Sequence, residues 1–437
     1  MSNFLAGFAD LDYTPELGLV LRGQQYRRVA ERVRDPLMIN AAAFRSGEET
    51  VVVISIDICF VPSAFTAEVQ QRFEQRTGIP GSRLLIHTTH SHVAPAAVSY
   101  HWGESDPRFV ERLKEQVVET AENALAKLEP VSVHSGSRKL DVLNWNRRAM
   151  YEDGSSVMHG KANRPGFISS EKTRDPNFSV VFARSTEGRV TGAIVNYGTH
   201  PNCVENERYY SADLPGEIRC LLKLMLGPET VIVYLTGAAG NVAPIIMEPF
   251  TPVQPWMGEE GLKRAGLYLA GEAAAIIASA VDPIDKAVLE IEHAAPQIPL
   301  RPFAKTGERC YPDYWTDESK AYYQGEEADW PRRLREESPV EVRVNVVRIG
   351  DTVICTNPAE LFSDFALQIR EASPARVTLI SQLTDGYVGY IPTPFAFTRG
   401  GYETWPCQTS KLSPEAGDEL VEATRGLLER AYGKIAR

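Results

Sequence analysis

The run Val51-Val52-Val53-Ile54-Ser55-Ile56-Asp57 limits the fold more than any other stretch, because it is apolar on both faces of a strand. Strand side chains alternate between two faces. A strand apolar on both must be covered on both, as in a sheet overlaid by helices, and not in a sheet with one wet face. The next residues agree. Ser63 to Gln75 reads as a helix, and Arg83-Leu84-Leu85-Ile86 as a second short buried strand. Asp106-Pro107 opens a long amphipathic helix to about Leu128, with Pro at the first helical position and Asp just before it. Strand, helix, strand, helix is the pattern of an α/β protein. The expected architecture is a mixed multi-strand sheet core flanked by helices, with the active site at strand ends.

The rest of the chain extends this pattern. The opening segment to about Glu48 reads as largely irregular, apart from a strand over Leu37 to Phe44, and Thr14-Pro15 ends any regular element before it. Further strands are expected at 178–183, 192–197, 231–235, 340–349, 352–356 and 377–381, with helices opening near Ser211 and over 258–280 and 413–434. Asn357-Pro358-Ala359-Glu360 reads as the start of a helix. Gln297 to Pro339 is acidic, aromatic and poorly periodic, and reads as an insertion or lid on a single domain spanning 1–437.

Composition narrows the partners. A net charge of −11 and the lack of any Lys/Arg-rich block disfavour nucleic acid. Six scattered cysteines without a CxxC pair argue against a cysteine-built zinc site, and Cys59 and Cys355 sit in apolar runs expected to bury free thiols. The start lacks a basic segment followed by a long apolar core, and no apolar run approaches the roughly 18 residues of a membrane span. The expectation is a cytoplasmic protein with a small-molecule substrate and no stable membrane association. No sequence signal indicates an oligomeric state.

The chemistry gathers at Ile86-His87-Thr88-Thr89-His90-Ser91-His92-Val93-Ala94-Pro95, which holds three of the eight histidines. Strand parity puts His90 and His92 on one face and His87 on the other. Two imidazoles at a strand end suit a metal site or proton transfer. A second strand runs into Gly198-Thr199-His200-Pro201, and His200 is a natural third member. Thr236-Gly237-Ala238-Ala239-Gly240-Asn241-Val242-Ala243-Pro244 is a small-residue loop that lets backbone approach a ligand, but it lacks a P-loop ending. Asn144-Trp145-Asn146-Arg147-Arg148 carries amides and guanidinium groups suited to substrate oxygens. Asp57 reads either as support for a site or as a cap of the next turn, and Asp213 as a helix cap.

In order and wording these motifs resemble the catalytic domain of the neutral (non-lysosomal) ceramidase family, from the opening Gly-Phe-Ala-Asp-Leu-Asp-Tyr-Thr-Pro to about Tyr402. The family's Thr-His-Thr-His-Ser-Gly-Pro corresponds to Thr89-His90-Ser91-His92-Val93-Ala94-Pro95. The resemblance implies His90 as a zinc ligand and His92 as a catalytic residue. It implies His200 of His200-Pro201, Glu360 of Pro358-Ala359-Glu360 and Tyr390 of Tyr387-Val388-Gly389-Tyr390 as the other ligands, the glutamate opening a helix. Tyr402, twelve residues beyond Tyr390, matches a further active-site tyrosine, and Arg147 of Asn144-Trp145-Asn146-Arg147 a substrate-contacting arginine. Asn146, Gly240 and Asn241 are expected to bind substrate.

Two departures redirect the expected substrate. Gly240-Asn241-Val242-Ala243-Pro244 has alanine where the family's loop has serine, so Ala243 excludes a serine nucleophile there. The family's secretion signal and C-terminal β-sandwich domain have no counterpart in this sequence, which points away from a membrane lipid. The reading is a zinc hydrolase that cleaves an amide bond in a small or polar N-acyl substrate by a metal-activated water. An ester, a lactone or a sugar derivative as substrate stays open, as does a non-catalytic metal- or ligand-binding relative.

Overall fold

The computed structural model describes residues 4–100, 103–160, 162–246, 254–284, 288–303 and 316–433. Its main elements in chain order are β1 (Phe4–Asp12), β2 (Met38–Ser46), β3 (Glu49–Ile56), α1 (Ser63–Thr77), β4 (Leu84–Thr88), α2 (Pro107–Ala126), β5 (Glu129–Lys139), β6 (Asn177–Ser185), β7 (Val190–Tyr197), α3 (Asp213–Leu226), β8 (Val231–Thr236) and α4 (Gly258–Ser279). They continue as β9 (Leu289–Ala294), α5 (Asp317–Glu336), β10 (Val344–Ile349), β11 (Thr352–Thr356), β12 (Ala359–Leu361), α6 (Ser363–Ala372), β13 (Val377–Ser381), β14 (Gly389–Ile391), α7 (Pro394–Arg399) and α8 (Ala416–Gly433).

The expected α/β architecture is present, but the core holds two sheets and not one. An eight-stranded sheet has the order β8-β7-β6-β5-β1-β2-β3-β4, and a four-stranded sheet the order β9-β10-β11-β13. Three strand–helix–strand units, β3-α1-β4, β7-α3-β8 and β11-α6-β13, each place two parallel strands side by side. The other pairs in these two sheets are antiparallel. The inner faces pack on each other through Phe8, Phe44, Val53, Leu235, Val347 and Leu379. The outer face of the large sheet meets α1 and α2 in one cluster and α3 and α4 in another. The outer face of the small sheet meets α6 and α8. This gives four layers, helix–sheet–sheet–helix, in which β3 is covered on both sides as its sequence requires.

Three expectations are corrected. The opening segment contains β1, a nine-residue strand near the centre of the large sheet. Its Gly7 hides it from a propensity reading, yet a side chain there would put a Cβ atom 2.2 Å from the Ala124 carbonyl oxygen of the overlying α2. Glu360 does not open a helix: it lies in β12, which pairs in parallel with β14, and α6 starts three residues later. The segment 297–339 contains a 20-residue helix, α5, capped by Thr316. That helix buries Ser319, Tyr323, Glu326, Trp330 and Arg333, a largely polar set that leaves no apolar stripe to read. Residues 304–315 of that segment, with Cys310, lie outside the described residues. Cys59 and Cys355 are buried and free, as expected. Among the described residues, no helix is long and apolar enough to cross a membrane.

Candidate metal centre

The site forms where the parallel strands end. β4 ends at Thr88, and two residues on His90 adopts φ +72°, so strand parity stops there. The histidines separate for that reason. His87 stays in the sheet, where its Nδ1 donates to the Gln382 carbonyl (2.8 Å) and its Nε2 accepts from the Thr236 N–H (3.0 Å). Burial pushes its pKa down to about 3, so it is a neutral structural staple. His90 and His92 turn into the cavity and meet His200 from the end of β7. The ring centroids lie 4.9 Å (His90–His92), 4.5 Å (His90–His200) and 5.1 Å (His92–His200) apart.

Glu360 completes this group. Its Oε2 lies 3.3 Å from His90 Nε2 and 4.0 Å from His200 Nε2. Its Oε1 accepts from the Tyr387 hydroxyl at 2.7 Å. The tautomers follow from the partners: His90 Nδ1 donates to the Cys59 carbonyl at 2.8 Å and His200 Nδ1 to the Ala239 carbonyl at 3.1 Å. Both Nε2 atoms therefore face Glu360, and His90 must give up its Nε2 proton to bind a metal. His90 Nε2, His200 Nε2 and Glu360 Oε2 are buried without a hydrogen-bond partner, and the three groups' ligand atoms lie within 4.8 Å of one another. Buried lone pairs left over in this way call for a cation. Burial, helped by the Arg147 charge, holds His200 far below its usual pKa, which keeps it neutral and able to bind a metal. Burial works against charge on Glu360, but a proton on the facing His90 Nε2 holds the carboxylate below its usual range. Against its own burial, His90 is in turn raised by Cys59 and Glu360 to about 10; the pair calls for one cation between them, a proton that a metal ion displaces. Two imidazoles and a carboxylate, with the outer imidazole nitrogens fixed by carbonyls, fit a divalent metal ion.

Around this trio the cavity has a volume of about 550 Å³. His92 lines it with Nδ1 3.2 Å from Glu205 Oε2. Burial lowers His92 to about 4 despite that carboxylate. Arg147 Nη2 reaches the Gly240 carbonyl (3.0 Å) and the Tyr390 hydroxyl (3.5 Å), and Arg147 Nη1 reaches His159 Nε2 (3.1 Å). The Tyr390 and Tyr402 hydroxyls are 3.4 Å apart. His90, His92, His200, Glu360, Tyr390, Arg147 and Tyr402, spread over the sequence, thus converge on one place.

Other expected residues have different partners. Asn146 sends its amide NH₂ to the Thr173 carbonyl and accepts from the Arg148 N–H. Asn241 bonds Asp364 and the Ser363 N–H through its side chain, and its carbonyl accepts from the Arg147 N–H at 2.9 Å. Gly240 gives its N–H to the Leu361 carbonyl at 2.9 Å, so the small-residue loop lies against β12. Arg148 is buried against Glu171 and Glu403. Asp57 pairs with Arg219 at 2.7 Å, away from the trio, and Asp213 accepts from three backbone N–H groups, of Cys203, Val204 and Leu214.

Sequence reading missed Glu205 and His159. Glu205 follows His200 by five residues, and a carboxylate in the loop after a metal-type histidine was an available signal. His159 lies in a loop at φ +53° and carries no motif.

No protein-family model and no curated protein matches the chain. Solved structures do. The neutral ceramidase from Pseudomonas aeruginosa aligns with 98% of this chain and 75% of its own length, at 18% identity and a TM-score of 0.77. A ceramidase complexed with C2 aligns with 98% of this chain and 76% of its own, at 16% identity and a TM-score of 0.77. The likeness read from the motifs is borne out by the architecture, and over nearly its whole length this chain has the fold of the neutral ceramidases.

Proposed function

We propose that this protein is a zinc-dependent hydrolase that cleaves an amide bond, with His90, His200, Glu360 and Tyr390 as the metal-holding residues. The observation that carries the reading is the trio of buried, partnerless ligand atoms on His90, His200 and Glu360. The ceramidase fold supports the choice of an amide. When bound, zinc supplies a Lewis acid that polarises a carbonyl and lowers the pKa of a water towards about 7.

The protein supplies the rest. His92, neutral at pH 7, takes the proton of the attacking water at Nε2 and returns it to the leaving nitrogen. Glu205 at Nδ1 fixes the tautomer and stabilises the imidazolium as it forms. Arg147 and Tyr402 donate to the oxygen that gains charge as the carbonyl is attacked. Gly240, Asn146 and Asn241 act in this reading by seating Arg147 and its loop. The stacked rings of Phe60 and Tyr387, 3.7 Å apart, form an apolar wall, while Gln24, Asn206 and Thr316 add polar lining to the same cavity. That mixture suits a small or polar N-acyl compound better than a long lipid chain.

The test is elemental analysis of the purified protein beside its Glu360→Ala variant, followed by assay on matched N-acyl, ester and glycosidic substrates. About one zinc per chain, lost in the variant, with cleavage of the N-acyl member, is the expected result. No metal in the wild type, and none taken up on adding zinc, overturns the proposal. Cleavage of the ester or glycoside alone would keep the metal site and change the bond.

A further inference from the structure

A second chamber of about 530 Å³ adjoins the metal cavity and shares Arg22, Phe60, Tyr387 and Thr409 with it. None of the sequence motifs falls on its distinguishing residues, which come from the start of α1, the loop before α2, α5 and the segment after α7. Its charged lining is three cations, Arg22, Arg333 and Lys411, against one acid, Glu326. This is a positive chamber in a chain of net charge −11.

The charges are not equivalent. Glu326 and Arg333 neutralise each other: Arg333 Nη2 lies 3.1 Å from Glu326 Oε1, and Glu326 Oε2 accepts from the Gln408 N–H at 2.9 Å. Arg22 sits over an aromatic part of the chamber wall, its guanidinium carbon 3.4 Å from the centre of the Tyr100 ring. Lys411 is different. Among the described residues its ammonium makes no hydrogen bond and no ion pair. Burial lowers its pKa, the Glu337 charge opposes that shift, and the nearby Arg333 adds to it. Lys411 is half-buried in the cavity wall, so its ammonium keeps part of its water, and an anion in the chamber offsets the part that is lost.

We propose that this chamber is a subsite for an anionic group of the substrate, a carboxylate or a phosphate ester, held by Lys411 and Arg22. The inference rests on the amide-hydrolase reading only for the identity of the ligand as substrate. Occupancy of the chamber by an anion stands apart from it. The substrate class is then an N-acyl compound with an acidic group on the same molecule, its amide at the metal centre and its charge beyond the Phe60–Tyr387 wall.

Three probes with the same acetamide test this on the zinc-loaded full chain: 6-acetamidohexanoate, 6-acetamidohexyl phosphate and 6-acetamidohexan-1-ol. Binding is measured by titration calorimetry, and acetate release is followed separately. One or both anions should bind about tenfold tighter than the alcohol, a gap that narrows with added salt. Lys411→Met should bring the anions down to the affinity of the alcohol. The stronger of the two anions identifies the group. Equal binding of all three by the wild type overturns the subsite, as does a gap that survives Lys411→Met undiminished, because Lys411 then takes no part in holding the anion. Failure to release acetate from any probe counts against amide hydrolysis and leaves the binding result standing.

Discussion

The Thr236 backbone N–H donates to His87 Nε2 at 3.0 Å, joining the two ends of the eight-stranded sheet. β8 is the first strand in that sheet's order and β4 the last, so the sheet must coil for this bond to form. Ser55 Oγ to the Tyr234 carbonyl (2.6 Å) and Thr236 Oγ1 to the Thr89 carbonyl (2.7 Å) repeat the connection. The coil carries His90 and His92 to His200.

His87→Ala should therefore act on stability. It strands the Thr236 N–H in a buried setting, takes one of the two donors from the Gln382 carbonyl and leaves a cavity, at a cost of about 2–4 kcal/mol. Urea denaturation of the variant and wild type measures this. A variant with an unchanged midpoint would show that the closure does not depend on His87.

Glu205→Gln should separate metal binding from turnover. Glu205 touches His92 and none of the trio, so the variant keeps its metal while kcat falls by roughly 10–100-fold. Metal content and kcat measured on the same preparation check both halves. Loss of metal together with activity would place Glu205 among the groups that hold the ion.

Gly240→Ala tests how Glu360 is positioned. A Cβ at 240 would sit 2.4 Å from the Glu360 carbonyl oxygen and 3.0 Å from that of Leu361. Both are backbone atoms in β12, so no side-chain rotation relieves the clash. The expected loss is about 1–3 kcal/mol of stability, with weaker metal binding. Metal titration and thermal unfolding read the two effects, and wild-type metal affinity in a folded variant would count against this view of the Gly240–β12 contact.

Chelation should lower the apparent Tm of the wild type and leave that of Glu360→Ala unchanged. A ligand that binds only the folded chain adds about 2.7 kcal/mol when present at a hundred times its Kd. Differential scanning of both proteins with and without EDTA makes the comparison. An identical shift in both would mean that the stabilising ion sits elsewhere.

Much of this molecule is legible in its amino-acid sequence. The apolar faces of β3, the Asp106-Pro107 start of α2 and the strands β6 and β7 follow from local pattern, because burial and capping are written in neighbouring residues. β1 and α5 are not. Gly7 lowers the strand signal of β1 to admit a close helix, and α5 turns Glu326 and Arg333 inward because they pair with each other. Glu360 was expected at a helix start, since a three-residue strand is specified by its partner β14 and not by its own composition.

The sequence by itself determined which residue types are available for chemistry and where the strand ends fall: histidines after β4 and β7, a glutamate after β11, tyrosines after β13. Only the tertiary structure decided their roles. His87, His90 and His92 are near neighbours in the chain, yet a positive φ at His90 and the coil of the sheet leave the first as a staple and send the other two into the cavity. Glu205 and His92 are 113 residues apart in sequence and 3.2 Å apart in space. Local patterns encode periodicity and capping. Which nitrogen keeps a free lone pair depends on the carbonyl that faces the other one, and only folding brings that carbonyl there.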